Sequence, residues 1–326
     1  MKKITFLWID DESERIKASK SLEKSLRIKV IFEDVKEKDL GKELQRILLG
    51  SEPDLVIIDH RLDKVSGGII KTGSTTAEVI RERWTECPIV CVTAVRLEDI
   101  DLQKKSIYDQ VIEYSELFEN YSFLISLAKS FKYLRSRRPK DINGVLHLLK
   151  APSADRARLE AILPEELKTN YEDKSLATSI SRWIRHFLID RPGFLYDRLW
   201  AATSVGVKDT SFKKVQDALD EARYKGLFAD EGNRRWWQTG IKEILYSKFP
   251  TDEAQYSWEL GRQFNGVTKR DYSACYVCKK EFPEIVGFTD ETARTRKPMH
   301  LSCTVPHPRF EKTLFFEEIR MMKAAE

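Results

Sequence analysis

Three acidic side chains end two short apolar segments in the first third of the chain. Asp10 and Asp11 follow Ile9, and Asp59 follows the run 55–58. Short runs of Ile, Val and Leu between helix-period segments are typical of buried parallel strands, whose carboxyl ends meet at one ligand-binding edge of a sheet. Three carboxylates held together there repel one another unless a hard cation with oxygen ligands lies among them. The sequence therefore predicts a Mg²⁺ site.

A hydroxyl is expected at the same edge. The apolar run 90–92 ends in Thr93, followed by Ala94. A carboxylate beside a divalent cation is suited to attack phosphorus, because the cation neutralises charge that would repel an incoming phosphate. The residue types also fit a purely structural interpretation, in which Asp10 and Asp11 cap the following helix and Asp59 ends a strand in an ordinary turn.

The last fifth of the chain carries a second cluster of reactive residue types. Cys275 and Cys278 form one close pair, and His300 and Cys303 form another, each pair separated by two residues. This spacing predicts a tetrahedral Zn²⁺ site, and a site closed by four protein ligands indicates a structural metal. An apo or redox-active cluster is the alternative. The pattern resembles that of treble-clef-like fingers, whose members bind protein, DNA or RNA, so it selects no partner.

Length and composition limit the classes of protein. The chain has 326 residues, enough for two or three domains, and its net charge of +4 does not demand nucleic acid as a partner. It has no apolar run of about 18 residues, and its amino terminus lacks the apolar core of a secretion signal. Five cysteines in this arrangement do not form a secreted disulfide framework. We expect a soluble cytoplasmic protein without a membrane partner.

The order of acidic pair, lone Asp and Thr over residues 3–130 resembles the receiver domains of two-component response regulators. The resemblance implies an α/β fold with a doubly wound, parallel, five-stranded flavodoxin-like sheet. It implies phosphorylation of Asp59 by a sensor histidine kinase or a small phosphodonor, with no other enzymatic activity. It assigns four further roles: direct Mg²⁺ binding by Asp11, binding through water by Asp10, a metal-binding carbonyl at Arg61, and a switching hydroxyl at Thr93.

Two features depart from the receiver pattern. With residues 109–112 as the fifth strand, Glu113 stands where receivers carry Lys. A carboxylate close to a phosphoryl group would disfavour it by about 4 kcal/mol at an effective dielectric of about 20. The segment 63–75 is also longer and richer in Gly and Ser than the usual loop after the phosphoacceptor, and could act as a lid or docking loop.

Residues 177–250 resemble a winged-helix domain. Helices are predicted over 178–189, 194–204 and 210–226, followed by a wing of two short strands, 227–229 and 234–237. By resemblance the third helix would enter the major groove and the wing would cover the backbone. The residues assigned to DNA contact are Lys213, Lys214, Gln216, Arg234 and Arg235. Acidic residues on the third helix weaken the electrostatic case, and the fold also serves for protein docking.

Four parts are therefore predicted: a receiver over 1–134, a connector over 135–176, a winged-helix-like domain over 177–250 and a zinc module over 251–326. Two functions fit them. One is a response regulator whose phosphorylated receiver controls a winged-helix and zinc output that binds DNA, a partner protein or a second copy of the chain. The other is a phosphorylation-independent pseudo-receiver adaptor that docks proteins in a bacterial signalling or defence complex, which Glu113 favours.

Overall fold

The structure is a computed structural model that describes residues 3–66, 71–173, 175–250, 255–281, 285–290 and 295–300, together with Cys303. The chain divides into two compact units. The first unit is Met1–Gly144 with Pro164–Arg182, and the second unit is Val145–Leu163 with Trp183–Glu326. The connector predicted over 135–176 therefore contributes residues to both units.

The first unit is built on a five-stranded sheet in which every neighbouring pair is parallel. The strand order is β2-β1-β3-β4-β5, which is the doubly wound, flavodoxin-like order. The α/β fold predicted for this part of the chain is confirmed. The strands are β1 (Thr5–Asp10), β2 (Lys29–Asp34), β3 (Leu55–Asp59), β4 (Ile89–Thr93) and β5 (Gln110–Glu113).

Helices connect these strands, and polar side chains fix where several of them begin. Asp39 accepts the N–H of Gly41 at the start of one helix, and Thr72 accepts that of Thr75 at the start of another. The helices are α1 (Ile16–Leu26), α2 (Leu40–Leu48), α3 (Gly73–Arg83), α4 (Leu102–Ile107) and α5 (Tyr121–Ser136).

The core of the first unit lies on both faces of the sheet. Every residue of β3 and β4 is buried, because parallel strands with helices on both sides have no solvent-facing side. Gly73 allows α3 to begin directly against the end of β3. A Cβ atom at Gly73 would lie 2.1 Å from the carbonyl oxygen of Asp59, which leaves room only for glycine.

The remaining elements are short and mainly helical. Among the described residues, no helix combines the length and the apolar character that crossing a membrane requires. The helices are α6 (Ile142–Leu149), α7 (Ser153–Ile162), α8 (Glu166–Thr169), α9 (Leu176–Trp183), α10 (Arg198–Ser204), α11 (Lys213–Gln216), α12 (Gln238–Lys248) and α13 (Ser257–Gly261), and a π-helical segment covers Ile184–Ile189. The strands are β6 (Leu195–Tyr196), β7 (Trp236–Trp237), β8 (Ile285–Asp290) and β9 (Thr295–His300).

The predicted wing is not formed. Its second strand is β7, but β7 pairs antiparallel with β6 rather than with residues 227–229. Phe228 has a φ of 61°, in the left-handed region that interrupts a strand. Trp236 and Trp237 are both buried, although successive strand residues point to opposite faces. The segment is therefore interior, and burying two indole rings outweighs the local preference for a hairpin.

The predicted third helix is divided into short pieces. A 3₁₀ turn over Asp209–Ser211 precedes α11, and a 3₁₀ segment over Asp217–Ala222 follows it. Phe212 is buried in the core of the second unit, where its ring meets that of Trp236 edge-to-face at 5.0 Å. The spacing of apolar residues therefore predicts the buried side of this segment correctly. The segment itself is not one regular helix, as the sequence predicts, but a short α-helix between two 3₁₀ segments.

Candidate functional site

The sheet of the first unit brings Asp10, Asp11 and Asp59 together. Asp10 ends β1 and Asp59 ends β3, and these strands are parallel neighbours, so both side chains stand at the carboxyl edge. One carboxylate oxygen from each of the three residues lies within 4.8 Å of the others. Their exposed fractions are 0%, 3% and 5%. The convergence expected from the sequence is thus present.

Backbone and indole groups hold these carboxylates in place. Asp10 accepts the N–H of Glu12 at 2.8 Å and the indole N–H of Trp8 at 3.1 Å. Asp11 accepts the N–H of Lys64 at 2.6 Å. These bonds fix the direction in which each carboxylate presents its oxygens, so the cluster is preorganised for a ligand at its centre.

One residue of the site was not identified from the sequence. The side chain of Arg15, 7% exposed, lies among the carboxylates. Its Nη1 atom is 3.1 Å from an oxygen of Asp10 and 3.1 Å from an oxygen of Asp59. Its Nε atom is 3.2 Å from Glu12, and its guanidinium lies 4.7 Å from the ring centre of Tyr114. The site therefore contains a buried cation.

The sequence feature that could have indicated a role for Arg15 is its position just before α1. Side chains at a helix start lean toward the amino-terminal end of the helix. In a doubly wound sheet, the helix that follows β1 starts at the carboxyl edge, so a cation in its first turn is directed toward the acidic pair.

The electrostatics of the cluster remain unbalanced despite Arg15. Burial and the charge of Asp10 together raise the pKa of Asp59 to about 7, against the opposing influence of Arg15. Burial also raises the pKa of Asp10, again against the influence of Arg15. Carboxylates that bind protons this readily favour an added cation. Their hard oxygen atoms and spacing fit Mg²⁺.

Thr93 and Glu113 end the two strands beyond β3. They are register partners on β4 and β5. The Thr93 hydroxyl is buried and accepts the N–H of Val95 at 3.0 Å. The Glu113 carboxylate accepts the N–H of Leu97 at 3.2 Å, and it does not belong to the converging group of Asp10, Asp11 and Asp59. The side chain expected to repel a phosphoryl group is therefore engaged by the loop after β4.

A cavity of about 280 Å³ lies next to the end of β3, and Asp59 itself is not one of its lining residues. His60 and Arg61, which follow Asp59 directly, contribute to its wall, and the N–H of Arg61 lies 3.4 Å from Asp59. Four basic side chains and two acidic ones line it. The lining residues are His60, Arg61, Asp63, Lys71, Thr72, Val95, Asp99 and Lys104. Part of the loop predicted as a lid, residues 67–70, lies outside the described residues.

The second unit brings the predicted zinc ligands together. One ligand atom from each of Cys275, Cys278, His300 and Cys303 lies within 4.8 Å of the others. The Cys278 sulfur is 3.2 Å from Nδ1 of His300. The first two cysteines flank a turn in which the N–H of Lys279 donates to the Cys275 carbonyl at 3.0 Å. His300 ends β9.

Backbone groups also prepare Cys275 for a metal. Its sulfur accepts the N–H of His300 at 3.4 Å. Burial raises the pKa of Cys275, but N–H groups of Cys278, His300 and Val277 outweigh burial and lower the pKa to about 7. A thiolate stabilised in this way is the form that binds Zn²⁺. The donor set therefore fits a tetrahedral zinc site.

The residues assigned to DNA contact do not form one exposed basic surface. Arg235 is 6% exposed and donates to the carbonyls of Ile189 at 3.0 Å and Asn233 at 3.2 Å. Burial directs the guanidinium to backbone acceptors inside the second unit, so this structure does not present Arg235 for the phosphate contact that the sequence predicts. Arg234 forms an ion pair with Glu231 at 3.2 Å.

The basic residues of α11 differ in their surroundings. Lys214 lies 2.7 Å from Asp271 and donates to the Gly266 carbonyl at 3.0 Å. Lys213 is exposed and Gln216 is half-buried. The ion pair with Asp271 removes much of the positive charge that Lys214 would offer to phosphate.

The comparisons with known proteins concern the sheet-containing part. No family model matches the chain, and no curated protein matches it. Among solved structures, a receiver protein from Sinorhizobium medicae is 19% identical, with a TM-score of 0.32, and the match covers 40% of this chain and 98% of that chain. The response regulator protein TrrA from Thermotoga maritima, solved in complex with Mg²⁺ and beryllofluoride, is 22% identical with a TM-score of 0.28, and the match covers 37% of this chain and 98% of that chain.

A third solved structure is the amino-terminal domain of a response regulator/sensory box/GGDEF protein from Carboxydothermus hydrogenoformans. It is 18% identical, with a TM-score of 0.31, and the match covers 40% of this chain and 96% of that chain.

Proposed function

We propose that the first unit is a two-component receiver that is phosphorylated on Asp59 with Mg²⁺ bound, and that this modification controls the second unit as its output. The observation that carries the proposal is the convergence of Asp10, Asp11 and Asp59 at the carboxyl edge of a sheet with the β2-β1-β3-β4-β5 order. Thr93 ends the neighbouring strand at the same edge. A nucleophilic carboxylate, metal-binding carboxylates and a hydroxyl are the groups that the reaction requires.

The chemistry is an in-line transfer to a carboxylate. An Asp59 oxygen forms a bond to the phosphorus of the donor, while the bond from phosphorus to the leaving atom breaks and that atom, an imidazole nitrogen of a kinase histidine or an oxygen of a small phosphodonor, retains the electron pair. With acetyl phosphate the leaving group is acetate. Bound Mg²⁺ supplies positive charge that offsets repulsion between the carboxylate and the phosphoryl oxygens. Asp10 and Asp11 would hold the metal, and the Thr93 hydroxyl, which now accepts the N–H of Val95, would donate to a phosphoryl oxygen.

The cavity lined by the residues that follow Asp59 suits an anionic ligand. Arg61, Lys71 and Lys104 give its wall three cations against the two carboxylates of Asp63 and Asp99, whereas burial lowers the pKa of His60. Such a wall attracts anionic phosphodonors. A sensor histidine kinase or a small phosphodonor is therefore the proposed partner of the first unit, and transfer to its own Asp59 is the extent of its catalysis.

We predict that the wild-type protein gains one phosphoryl mass after incubation with Mg²⁺ and acetyl phosphate. Asp59→Asn should abolish the gain, because the nucleophilic carboxylate is lost. Asp34→Asn is a matched control, since Asp34 ends the neighbouring strand β2 but is not one of the converging residues. Intact-protein mass spectrometry measures the outcome. A wild-type protein that binds Mg²⁺ but never gains phosphoryl mass would contradict the proposal.

For the second unit we propose a structural Zn²⁺ held by Cys275, Cys278, His300 and Cys303. The support is the close approach of the four ligand atoms and the N–H groups directed at the Cys275 sulfur. Four protein ligands leave no open position for a substrate. Binding energy would then stabilise a region that has few apolar side chains of its own.

A second function, the phosphorylation-independent adaptor, is favoured by the ion pairs of Arg15. A guanidinium bonded to Asp10 and Asp59 neutralises part of the acidic cluster without a metal. In that function the first unit would dock other proteins as a fixed module. The same mass measurement separates the two functions, because only the receiver gains a phosphoryl group. DNA binding by the second unit stays a prediction, and Lys213, Lys214, Gln216 and Arg234 are its assigned contacts that are not buried.

A further inference from the structure

We propose that Arg15 is the cation that binds the phosphoryl group on Asp59, an inference that rests on the proposed receiver function. The position of the guanidinium is the first observation. Nη1 lies 3.1 Å from the Asp59 oxygen and 3.1 Å from the Asp10 oxygen. A phosphoryl group attached to Asp59 would place additional anionic oxygens next to this nitrogen.

The guanidinium is also held by two residues other than Asp10 and Asp59. Glu12 pairs with Nε at 3.2 Å, and Tyr114 places its ring 4.7 Å from the guanidinium carbon. A cation against an aromatic face is stabilised by the charge distribution of the ring. Arg15 is thus kept at the edge of the sheet by contacts that do not involve Asp59, and it would remain there when Asp59 is modified.

The chemistry of arginine suits this role. A guanidinium presents several N–H donors in one plane and binds phosphoryl oxygens through paired, charge-assisted hydrogen bonds. Nη1 now divides its contact between Asp10 and Asp59. A phosphoryl group carries more negative charge than a carboxylate, so it would draw these donors from the Asp10 contact. Asp10 would retain its bonds from Trp8 and Glu12.

The strand that supplies a cation in receivers does not supply one here. β5 ends at Glu113, and Tyr114 and Ser115 follow. Glu113 accepts the N–H of Leu97, and Tyr114 faces Arg15. The positive charge of this site therefore lies just before α1 rather than at the end of β5. Tyr114, the residue after β5, provides the ring against which the Arg15 guanidinium packs.

This placement gives Arg15 opposite effects on the two ligands of the site. Its guanidinium contacts the same carboxylates that would bind Mg²⁺, so its positive charge opposes metal binding. It favours the phosphoryl group, which is anionic. Removing Arg15 should therefore strengthen Mg²⁺ binding and weaken phosphoryl binding. A residue with a merely structural role would change both affinities in the same direction.

The test uses the full-length protein and two titrations. Calorimetry measures the affinity for Mg²⁺, and then for beryllofluoride, an analogue of a phosphoryl group, at saturating Mg²⁺. Arg15→Ala should bind Mg²⁺ more tightly than wild type and beryllofluoride about tenfold or more less tightly, since charge-assisted bonds are lost. Arg15→Lys keeps the charge without the planar donors and should fall between them. Lys17→Ala, which removes an exposed cation from the first turn of α1, should match wild type.

Circular dichroism with Mg²⁺ present establishes that each variant is folded, and Arg15→Lys carries the comparison if Arg15→Ala is not. Folded variants that bind beryllofluoride as tightly as wild type, or that bind both ligands more weakly, would overturn the proposal. Its failure is distinguishable from failure of the receiver function. If the wild-type protein is phosphorylated and the Arg15 variants bind both ligands as it does, only the role of Arg15 is contradicted. If the wild-type protein gains no phosphoryl mass, the receiver function itself is contradicted.

Discussion

At the scale of single residues, the carboxylate site combines burial with incomplete charge balance. Three acidic side chains converge while one guanidinium, that of Arg15, contacts two of them. The raised pKa of Asp59, about 7, follows from burial and from the nearby charge of Asp10. A carboxyl group that costs free energy to ionise in the folded state destabilises that state until a cation compensates for it.

We therefore expect Asp59→Asn to stabilise the metal-free protein at high pH. The folded pKa of about 7 exceeds the ordinary value of 3.8. The unfolded chain thus loses its proton first, and wild-type stability declines between about pH 4 and pH 7. The variant has no such loss, so its advantage should be absent near pH 4 and reach about 1–3 kcal/mol at pH 8.

Denaturant unfolding of both proteins in EDTA, at several pH values, measures this difference. Adding Mg²⁺ should reduce or reverse it at pH 8, because the metal binds the ionised wild-type site. A wild-type and a variant whose difference in unfolding free energy stays constant from pH 4 to pH 8 would show that Asp59 does not carry the raised pKa.

At the scale of elements, the sequence predicts the sheet well and the contacts between distant elements poorly. The sequence predicts the ends of β1, β3 and β4 because a strand buried on both faces has an uninterrupted run of apolar residues, and a polar residue marks its end. Arg15 was missed because its contact joins the start of α1 to the end of β3. A contact between residues this far apart in the sequence leaves no local periodic pattern from which it could be predicted.

The difference between local pattern and long-range contact also explains why the predicted wing does not form. The Gly-containing turn at residues 230–233 and the flanking apolar residues indicated a hairpin. The preferred partner of Trp236–Trp237 is instead Leu195–Tyr196, a strand that lies far away in the sequence. Tertiary burial of the two indole rings decided the pairing, and local propensity does not report it.

Two adjacent arginines that immediately precede β7 provide a matched test of this arrangement. Arg235→Ala removes a buried guanidinium that bonds backbone carbonyls, and it should destabilise the second unit by about 2–3 kcal/mol. Arg234→Ala removes an exposed ion pair and should change stability by less than about 0.5 kcal/mol. Denaturant unfolding followed by tryptophan fluorescence compares them. Equal effects of the two substitutions would refute the buried position of Arg235.

At the scale of the whole molecule, the two units have separate cores and different kinds of site. The first unit is stabilised by apolar strands covered by helices, with Asp59 at the sheet edge. The second unit has its own apolar core around Phe212 and Trp236, and its cysteine and histidine ligands lie beside the short strand β9. Loss of one site should therefore leave the core of the other unit intact.

The zinc site tests this independence. We expect one Zn²⁺ per chain by metal analysis of protein purified without chelators, and loss of that metal in Cys278→Ser, because one of four ligands is removed. Hydrogen exchange should rise over residues 272–281 and at β9 but stay unchanged in β1, β3 and β4. Val277→Ser is the control, since this exposed residue lies between two ligands without being one. Zinc-free wild-type protein, or unaltered exchange in Cys278→Ser, would exclude a structural zinc site, whereas increased exchange across the first unit would show that the units do not fold independently.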